Sequence, residues 1–242
     1  TREEGPVLLP FLGFILGAAA VSAWADRGRR DWWTPMLKWL VALSIGAAIV
    51  VAVCAINWQR YGLFAKTEFD AASYKSAYGA LSRVKPPEFK RYVPVSKKTR
   101  QLIYRVSPAF AELKPYIEGI PGSYWEAYSE SQQDDSNRNE ILAGWFSWAL
   151  RDAVSEAGYY ADGAFPDSYY LRLADEVNTA CENGSLECYA PRATLIPVWH
   201  NSYIRQLIPR MGEKLVEAVT FHGVGLIPRP SEGTPEQLAL FR

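Results

Sequence analysis

The chain has 242 residues, is 49% hydrophobic and 14% aromatic, and balances 26 basic side chains against 26 acidic ones. A formal net charge of zero leaves no basic footprint for nucleic acid. Apolar residues concentrate before residue 62, and the roughly 180 residues that follow suffice for one domain with its own core.

Two uncharged apolar stretches, at about residues 7–25 and 39–57, are expected to form a transmembrane hairpin. A helix needs ~20 mostly apolar residues to cross a ~30 Å hydrocarbon core. In the first stretch Ser22 is the only polar side chain, and Pro10 sits where a first turn tolerates it. In the second, residues 40–56 keep only Ser44 and Cys54 as mildly polar members. Trp32, Trp33 and Trp39 bracket its start and Trp58 and Tyr61 follow its end, as in an interfacial aromatic belt. Gly13 with Gly17, and Ala42 with Gly46, set small residues four apart, which lets helix backbones approach closely in lipid. Partners are therefore expected to be the bilayer and further transmembrane helices. No charged n-region or cleavage site precedes the first stretch, so it reads as a span rather than a signal peptide. The chain begins with Thr and is expected to be the C-terminal part of a longer polytopic protein.

The loop at residues 26–38 holds Arg27, Arg29 and Arg30, with Lys38 close behind, whereas Arg2 before the first span faces Glu3 and Glu4. The positive-inside bias puts this loop in the cytoplasm and everything after residue 61 outside. Cysteine chemistry gives an independent indication. Cys181 and Cys188 flank a polar segment containing the turn signal Asn183-Gly184, so the chain can fold back and bring the sulfurs together. A disulfide persists only in an oxidising compartment such as the periplasm or cell exterior, which agrees with the topology expected from the arginines. The rival, a zinc site, lacks a second Cys or His pair at suitable spacing.

Residues 62–223 are expected to form a mostly helical extracytoplasmic domain with at most short strands, and residues 224–242 a flexible tail rich in Pro and Gly. Thr67 is placed to cap a helix through Phe69, Ala72, Tyr78 and Leu81, stopped by Pro86-Pro87. Residues 91–95 read as extended. Ser96 caps a basic helix through Ile103, and Ser107-Pro108 reads as N-cap plus first helical residue of another, ended by Gly119 and Pro121-Gly122. Residues 129–139 read as a polar loop. The helix at 139–157 carries Ile141, Leu142, Trp145, Trp148, Ala153 and Val154 at helical spacing, with Gly158 placed for a left-handed C′ residue. A helix at 167–181 follows, with Tyr170, Leu173, Ala174 and Val177 on one face. Residues 194–198 suggest a further extended piece. Asn201 caps a helix that Pro209 kinks or ends, and helix resumes over 215–221.

No Gly-rich phosphate loop, Gly-x-Ser-x-Gly or His-Glu-x-x-His is present, so no reaction, cofactor or metal is indicated. Asp135, Asn137 and Asn139 match alternate positions of a calcium loop, but Glu140 stands where its Gly belongs and Phe146 where its Glu belongs. A solvated loop is the better reading. The catalytic candidates are Asp152, Asp175 and His200: two carboxylates on neighbouring helices suit acid and base roles, and His200 suits a base. Structural ion pairs, such as Arg151 with Asp175 or Glu176, explain the same acidic residues. Tyr159, Tyr160, Asp162, Tyr169 and Tyr170 cluster around one loop and are the ligand-binding candidates, since rings stack on sugar faces as readily as they fill cores.

Three runs together carry a resemblance: Tyr104-Arg105-Val106-Ser107-Pro108-Ala109-Phe110-Ala111-Glu112-Leu113, then Gly144-Trp145-Phe146-Ser147-Trp148-Ala149-Leu150-Arg151-Asp152-Ala153-Val154, then Ala174-Asp175-Glu176-Val177-Asn178. With the two cysteines, the chain resembles the C-terminal extracytoplasmic region of polytopic bacterial envelope membrane proteins. The resemblance implies a domain that binds or orients a glycan, a lipid-linked precursor or a protein partner, with no catalytic motif of its own. Their many-helix layout is similar to that of membrane glycosyltransferases, which makes the C-terminal part of such an enzyme the alternative. An envelope hydrolase using the Asp and His candidates is the third reading.

Overall fold

The structure is a computed structural model that describes residues 13, 16–18, 20–21, 24–25, 34–129, 137–196 and 198–220. The chain divides into two compact units, Thr1–Val198 and Trp199–Arg242. The protein is mainly helical, and among the described residues its only β pairing is an isolated antiparallel bridge between Val84 and Cys188.

Helix α1 spans Thr34–Tyr61, starting five residues before the expected position. Its stretch Leu43–Tyr61 is the one helix among the described residues long and apolar enough to cross a membrane. Ile45, Ile49, Val51 and Ile56 lie exposed along it, a distribution that suits lipid better than water. Of the expected first span, the described residues Gly13, Leu16, Gly17, Ala18, Ala20, Val21, Trp24 and Ala25 are helical and exposed. The rest of that span, and Arg27, Arg29 and Arg30, lie outside the described residues.

Gly62 ends α1 in a left-handed conformation, φ +71°, its N–H returning to the Trp58 carbonyl at 2.9 Å. Three further hydrogen bonds fasten this foot to the domain. Asn57 Nδ2 donates to the carbonyls of Ala65 (2.7 Å) and Lys66 (3.1 Å), and Phe165 N–H donates to the Tyr61 carbonyl (2.8 Å).

The domain core forms around α2 (Ala72–Ser82) and α8 (Asp167–Glu182), which lie along each other. Tyr74, Ala77, Tyr78 and Leu81 of α2, and Tyr170, Leu173 and Val177 of α8, are buried in one apolar cluster. The Ser73 hydroxyl donates to Asp167 Oδ1 at 2.6 Å and sets the register of the two helices. Between them in sequence come α3 (Lys97–Ile103), α4 (Pro108–Glu112), α5 (Lys114–Ile117), α6 (Ile120–Ser129) and α7 (Trp145–Glu156). The two serine caps form as expected: Ser96 Oγ accepts from Thr99 N–H at 3.2 Å, and Ser107 Oγ from Phe110 N–H at 3.1 Å.

Several expectations are corrected. Thr67 makes no cap: a 3₁₀ turn at Glu68–Asp70 precedes α2, which ends four residues before Pro86. Residues 91–95 form a turn rather than an extended piece, with Tyr92 at φ +63°. Pro121-Gly122 opens α6 instead of ending a helix. Gly122 is obligatory there, because a Cβ would meet the Ile117 carbonyl oxygen at 1.8 Å. Residues 139–144 stay outside α7. Asn139 and Ala143 take φ +61° and +44°, and the Ala143 N–H donates to the Tyr92 carbonyl at 2.7 Å. Asn137 is buried, its amide donating to the Arg91 carbonyl at 3.1 Å, so this part of the polar loop is not solvated. Gly158, at φ +88°, terminates α7 as expected.

Cys181 and Cys188 are joined, with Cα atoms 5.6 Å apart. The closed turn pairs with the chain after α2: Lys85 N–H donates to the Glu187 carbonyl and Tyr189 N–H to that of Arg83, both at 2.8 Å. In the second unit a 3₁₀ turn at Asn201–Tyr203 leads into α9 (Ile204–Thr220), which continues through Pro209 rather than ending there. The tail beyond residue 220 lies outside the described residues.

Candidate functional site

The loop joining α7 to α8 and the first turns of α8 form a shallow cleft of about 470 Å³. Tyr159, Asp162, Phe165, Tyr169 and Arg172 line it, with Ala164, Pro166 and Ser168. Each aromatic is placed by an identifiable local cause. Gly158 turns the chain so that Tyr159 leaves α7 sideways. Asp162 Oδ1 accepts from Ala164 N–H at 2.9 Å, closing the turn that presents Phe165. Helical spacing on α8 then puts Tyr169 and Arg172 three residues apart on one face.

Polar contacts fix the wall. The Arg172 guanidinium donates to both Glu112 oxygens, at 3.1 and 3.0 Å, and to the Tyr159 hydroxyl at 3.1 Å. Tyr159 OH donates to Glu112, and the Tyr159 and Tyr169 rings approach to 4.0 Å between centroids. Arg172 also lies over the Tyr169 ring, 5.2 Å from its centre. Tyr169 OH donates to the Ala109 carbonyl at 2.7 Å. Burial, then the hydrogen bond to Glu112, pushes the Tyr159 hydroxyl above its ordinary value. Burial and the nearby Glu112 charge do the same to Tyr169. Both phenols stay protonated at neutral pH; Tyr169 is buried beneath the wall, and the half-buried rings of Tyr159 and Phe165 are what the cleft offers.

The cleft gathers three of the five ligand-binding candidates, Tyr159, Asp162 and Tyr169. Tyr160 and Tyr170 lie behind it. Tyr160 OH donates to Glu68 Oε2 at 2.6 Å and lies 3.1 Å from the Tyr170 hydroxyl. Phe165 and Arg172 were missed by sequence reading. Arg172 sits three residues beyond Tyr169 on a predicted helix, and that spacing was the available signal.

Of the catalytic candidates, Asp152 and Asp175 lie on α7 and α8 of the first unit and His200 in the second. Asp152 is held by its neighbour Arg151, with Nη1 at 3.3 Å from Oδ1. Arg151 pairs with Glu68 at 2.9 Å, not with Asp175 or Glu176. Asp175 is exposed on α8. Glu176 is structural: its Oε2 accepts from Ser107 Oγ at 2.6 Å and Ala109 N–H at 2.8 Å, at the start of α4. His200 belongs to the second unit, where its ring lies against Tyr203. Among the described residues no group of three or more His, Cys, Asp or Glu side chains is placed to hold a metal ion.

The most buried charges lie elsewhere. Arg100 is fully enclosed and grips Glu118 with two hydrogen bonds of 2.6 and 3.1 Å, while Nη1 donates to the Val95 carbonyl at 3.0 Å. Glu140, also buried, accepts from Lys90 Nζ and from Lys97 N–H, both at 2.8 Å. Every one of these groups is partnered, and they knit residues 90–100 to the chain before α7. No protein-family model matches the chain, and no curated protein or solved structure matches it.

Proposed function

We propose that this chain is a membrane-anchored extracytoplasmic domain that binds the sugar of a glycan or lipid-linked precursor in the cleft of Tyr159, Phe165 and Arg172. In this reading residues 7–25 and 39–57 form a transmembrane hairpin, the arginine loop faces the cytoplasm, and the domain stands on the periplasmic side of a bacterial inner membrane. The chain then groups with the polytopic envelope proteins that it resembles.

One observation carries the reading: the residue that lines the cleft also fastens the foot of the apolar helix. Phe165 N–H donates to the carbonyl of Tyr61, the last residue of α1. A head group carried on a lipid would therefore reach this cleft without leaving the membrane surface. The wall chemistry suits a sugar. Ring faces stack on its C–H face, while Arg172 and Asp162 at the rim donate to and accept from hydroxyls. The cleft's volume falls within the ~300–1,000 Å³ of ordinary ligand sites. The Cys181–Cys188 bond supports an oxidising compartment.

The test uses the full chain in lipid nanodiscs, titrated with a polyprenyl-phosphate-linked hexose and followed by calorimetry. Saturable binding is expected, weakened up to about tenfold by Tyr159→Ala, whose half-buried ring borders the cleft, since losing one stacked ring costs ~0.5–1.5 kcal/mol. Asp175→Asn should leave the affinity unchanged. Absence of binding, or equal binding by the Tyr159 variant, would overturn the assignment.

A further inference from the structure

Helix α6 is built inside out. The side chains it fully buries are small, Gly122 and Ser129, Trp125 is half-buried against the core, and the large Ile120, Tyr124 and Tyr128 are exposed. Ile120, Tyr124 and Tyr128, four residues apart, form one outward stripe and are 74%, 62% and 61% exposed. The inversion has a local cause. The Ile117 carbonyl occupies the place of a Cβ at Gly122, and Ser129 Oγ accepts from Leu142 N–H at 3.0 Å, so only small residues fit inward. The helix carries one charged side chain, Glu126, already paired with Lys97 at 2.7 Å.

The stripe is not isolated. Tyr128 lies 5.6 Å from Trp125, Trp125 stacks 6.4 Å from Trp148, and Trp148 lies 4.6 Å from Phe69. Phe69 belongs to the 3₁₀ turn that begins two residues after Lys66, whose carbonyl Asn57 of α1 holds. Trp58 and Phe64, at that foot, are also exposed. A run of rings in contact thus leads from Phe69, beside the segment that Asn57 of α1 holds, out along α7 to α6.

We infer that the outer face of α6 rests in the head-group layer of the bilayer and, with α1, fixes the tilt of the domain over the membrane. Tyr and Trp combine an apolar ring with a polar edge and suit that layer. Continuity with the apolar helix, and the lack of an unpaired charge on α6, favour lipid over a polar protein partner. The inference rests on the reading of α1 as a membrane span, and the test separates the two.

The full chain, with Cys54→Ala as background, is reconstituted into phosphatidylcholine–phosphatidylglycerol vesicles. Nitroxide labels are placed singly through Tyr124→Cys, Tyr128→Cys, Val51→Cys and Lys98→Cys, all at exposed positions. Power saturation then compares collisions with oxygen, which concentrates in lipid, and with a nickel chelate, which stays in water. The oxygen-to-nickel ratio at positions 124 and 128 should exceed that at position 98 several-fold and stay below that at position 51. A ratio at 124 and 128 equal to that at 98, while 51 remains lipid-like, would overturn the α6 inference and leave the span intact. A water-like ratio at 51 would overturn both. Loss of both kinds of collision at 124 and 128 would mark protein contact and equally overturn lipid docking.

Discussion

At the scale of single residues the domain depends on Arg100. Its guanidinium is out of water, and its partners Glu118 and Glu140 are 19% and 2% exposed. Removing one member of such a group leaves a buried charge without its counter-ion, which typically costs ~3–5 kcal/mol. Burial pushes the Glu118 carboxyl up, but the Arg100 hydrogen bond and charge, aided by Tyr104 and Lys97, hold it below its ordinary 4.5. Asp70 behaves alike: burial raises it, and Lys75 and Lys66 more than reverse this, leaving it below 3.8. A carboxyl with a lowered folded pKa favours the fold while ionised. Its contribution is complete above the unfolded value and is lost as pH falls through the folded one. The melting temperature of the solubilised chain is therefore expected to fall as pH drops below about 4.5. Glu118→Gln should flatten that acid limb, and Arg100→Met should melt far lower at neutral pH. An acid limb identical in the wild type and Glu118→Gln would refute the role given to Glu118. The caps at Ser96 and Ser107 were legible because a cap spans three residues. Glu176, 69 residues from Ser107, and Glu68, 83 from Arg151, were not, since only the packed fold brings such pairs together.

At the scale of elements, the sequence misleads wherever a backbone position is dictated by a neighbour. Ile141 and Leu142 carry helical periodicity and are buried, yet they lie before α7. Left-handed turns at Asn139 and Ala143 let this segment bond to Tyr92 and place Glu140 on Lys90 and Lys97. Pro121-Gly122 has the composition of a terminator, yet Pro is acceptable in a first turn. Helix α8 needed no such help: its bounds and inward face follow from periodicity alone. Gly79 is the sharpest case. By propensity, Ala in the middle of α2 would gain ~1 kcal/mol. A Cβ there, however, would lie 2.1 Å from the Arg192 carbonyl oxygen and 3.1 Å from Ala193 Cα, backbone atoms of the segment crossing α2. Gly79→Ala should therefore destabilise by about 1–3 kcal/mol, as overpacking does. Gly144→Ala, at φ −66° with open space around its Cβ, should be neutral or slightly stabilising. Urea unfolding followed by tryptophan fluorescence distinguishes the two. A stabilised Gly79 variant would mean that residues 192–193 do not pack on α2.

At the scale of the whole molecule, the proposed membrane span raises the question of which side of the bilayer the domain would occupy. Two kinds of chemistry bear on it. In the proposed topology the basic residues Arg27, Arg29 and Arg30 would act during insertion, because cations are retained on the cytoplasmic face. The Cys181–Cys188 bond acts afterwards, because a reducing cytosol would open an exposed link, and residues 182–185 of its turn are exposed. Closing so short a loop contributes about 2 kcal/mol to the fold, so the domain gains from an oxidising surrounding. The remaining cysteine, Cys54, is buried on α1, which leaves the pair as the reporters of sidedness. Intact cells treated with a mild reductant and then a membrane-impermeant maleimide should label the chain, and the Cys181→Ser/Cys188→Ser variant should stay unlabelled. Replacing Arg27, Arg29 and Arg30 with Gln, while adding Lys before the first span, should reduce this labelling and leave the pair as free thiols. Labelling of the native chain only after the cells are opened would place the domain in the cytoplasm and refute the orientation. The bilayer contact of α6 would survive that result, since it depends on where the foot of α1 meets lipid and not on which leaflet it meets.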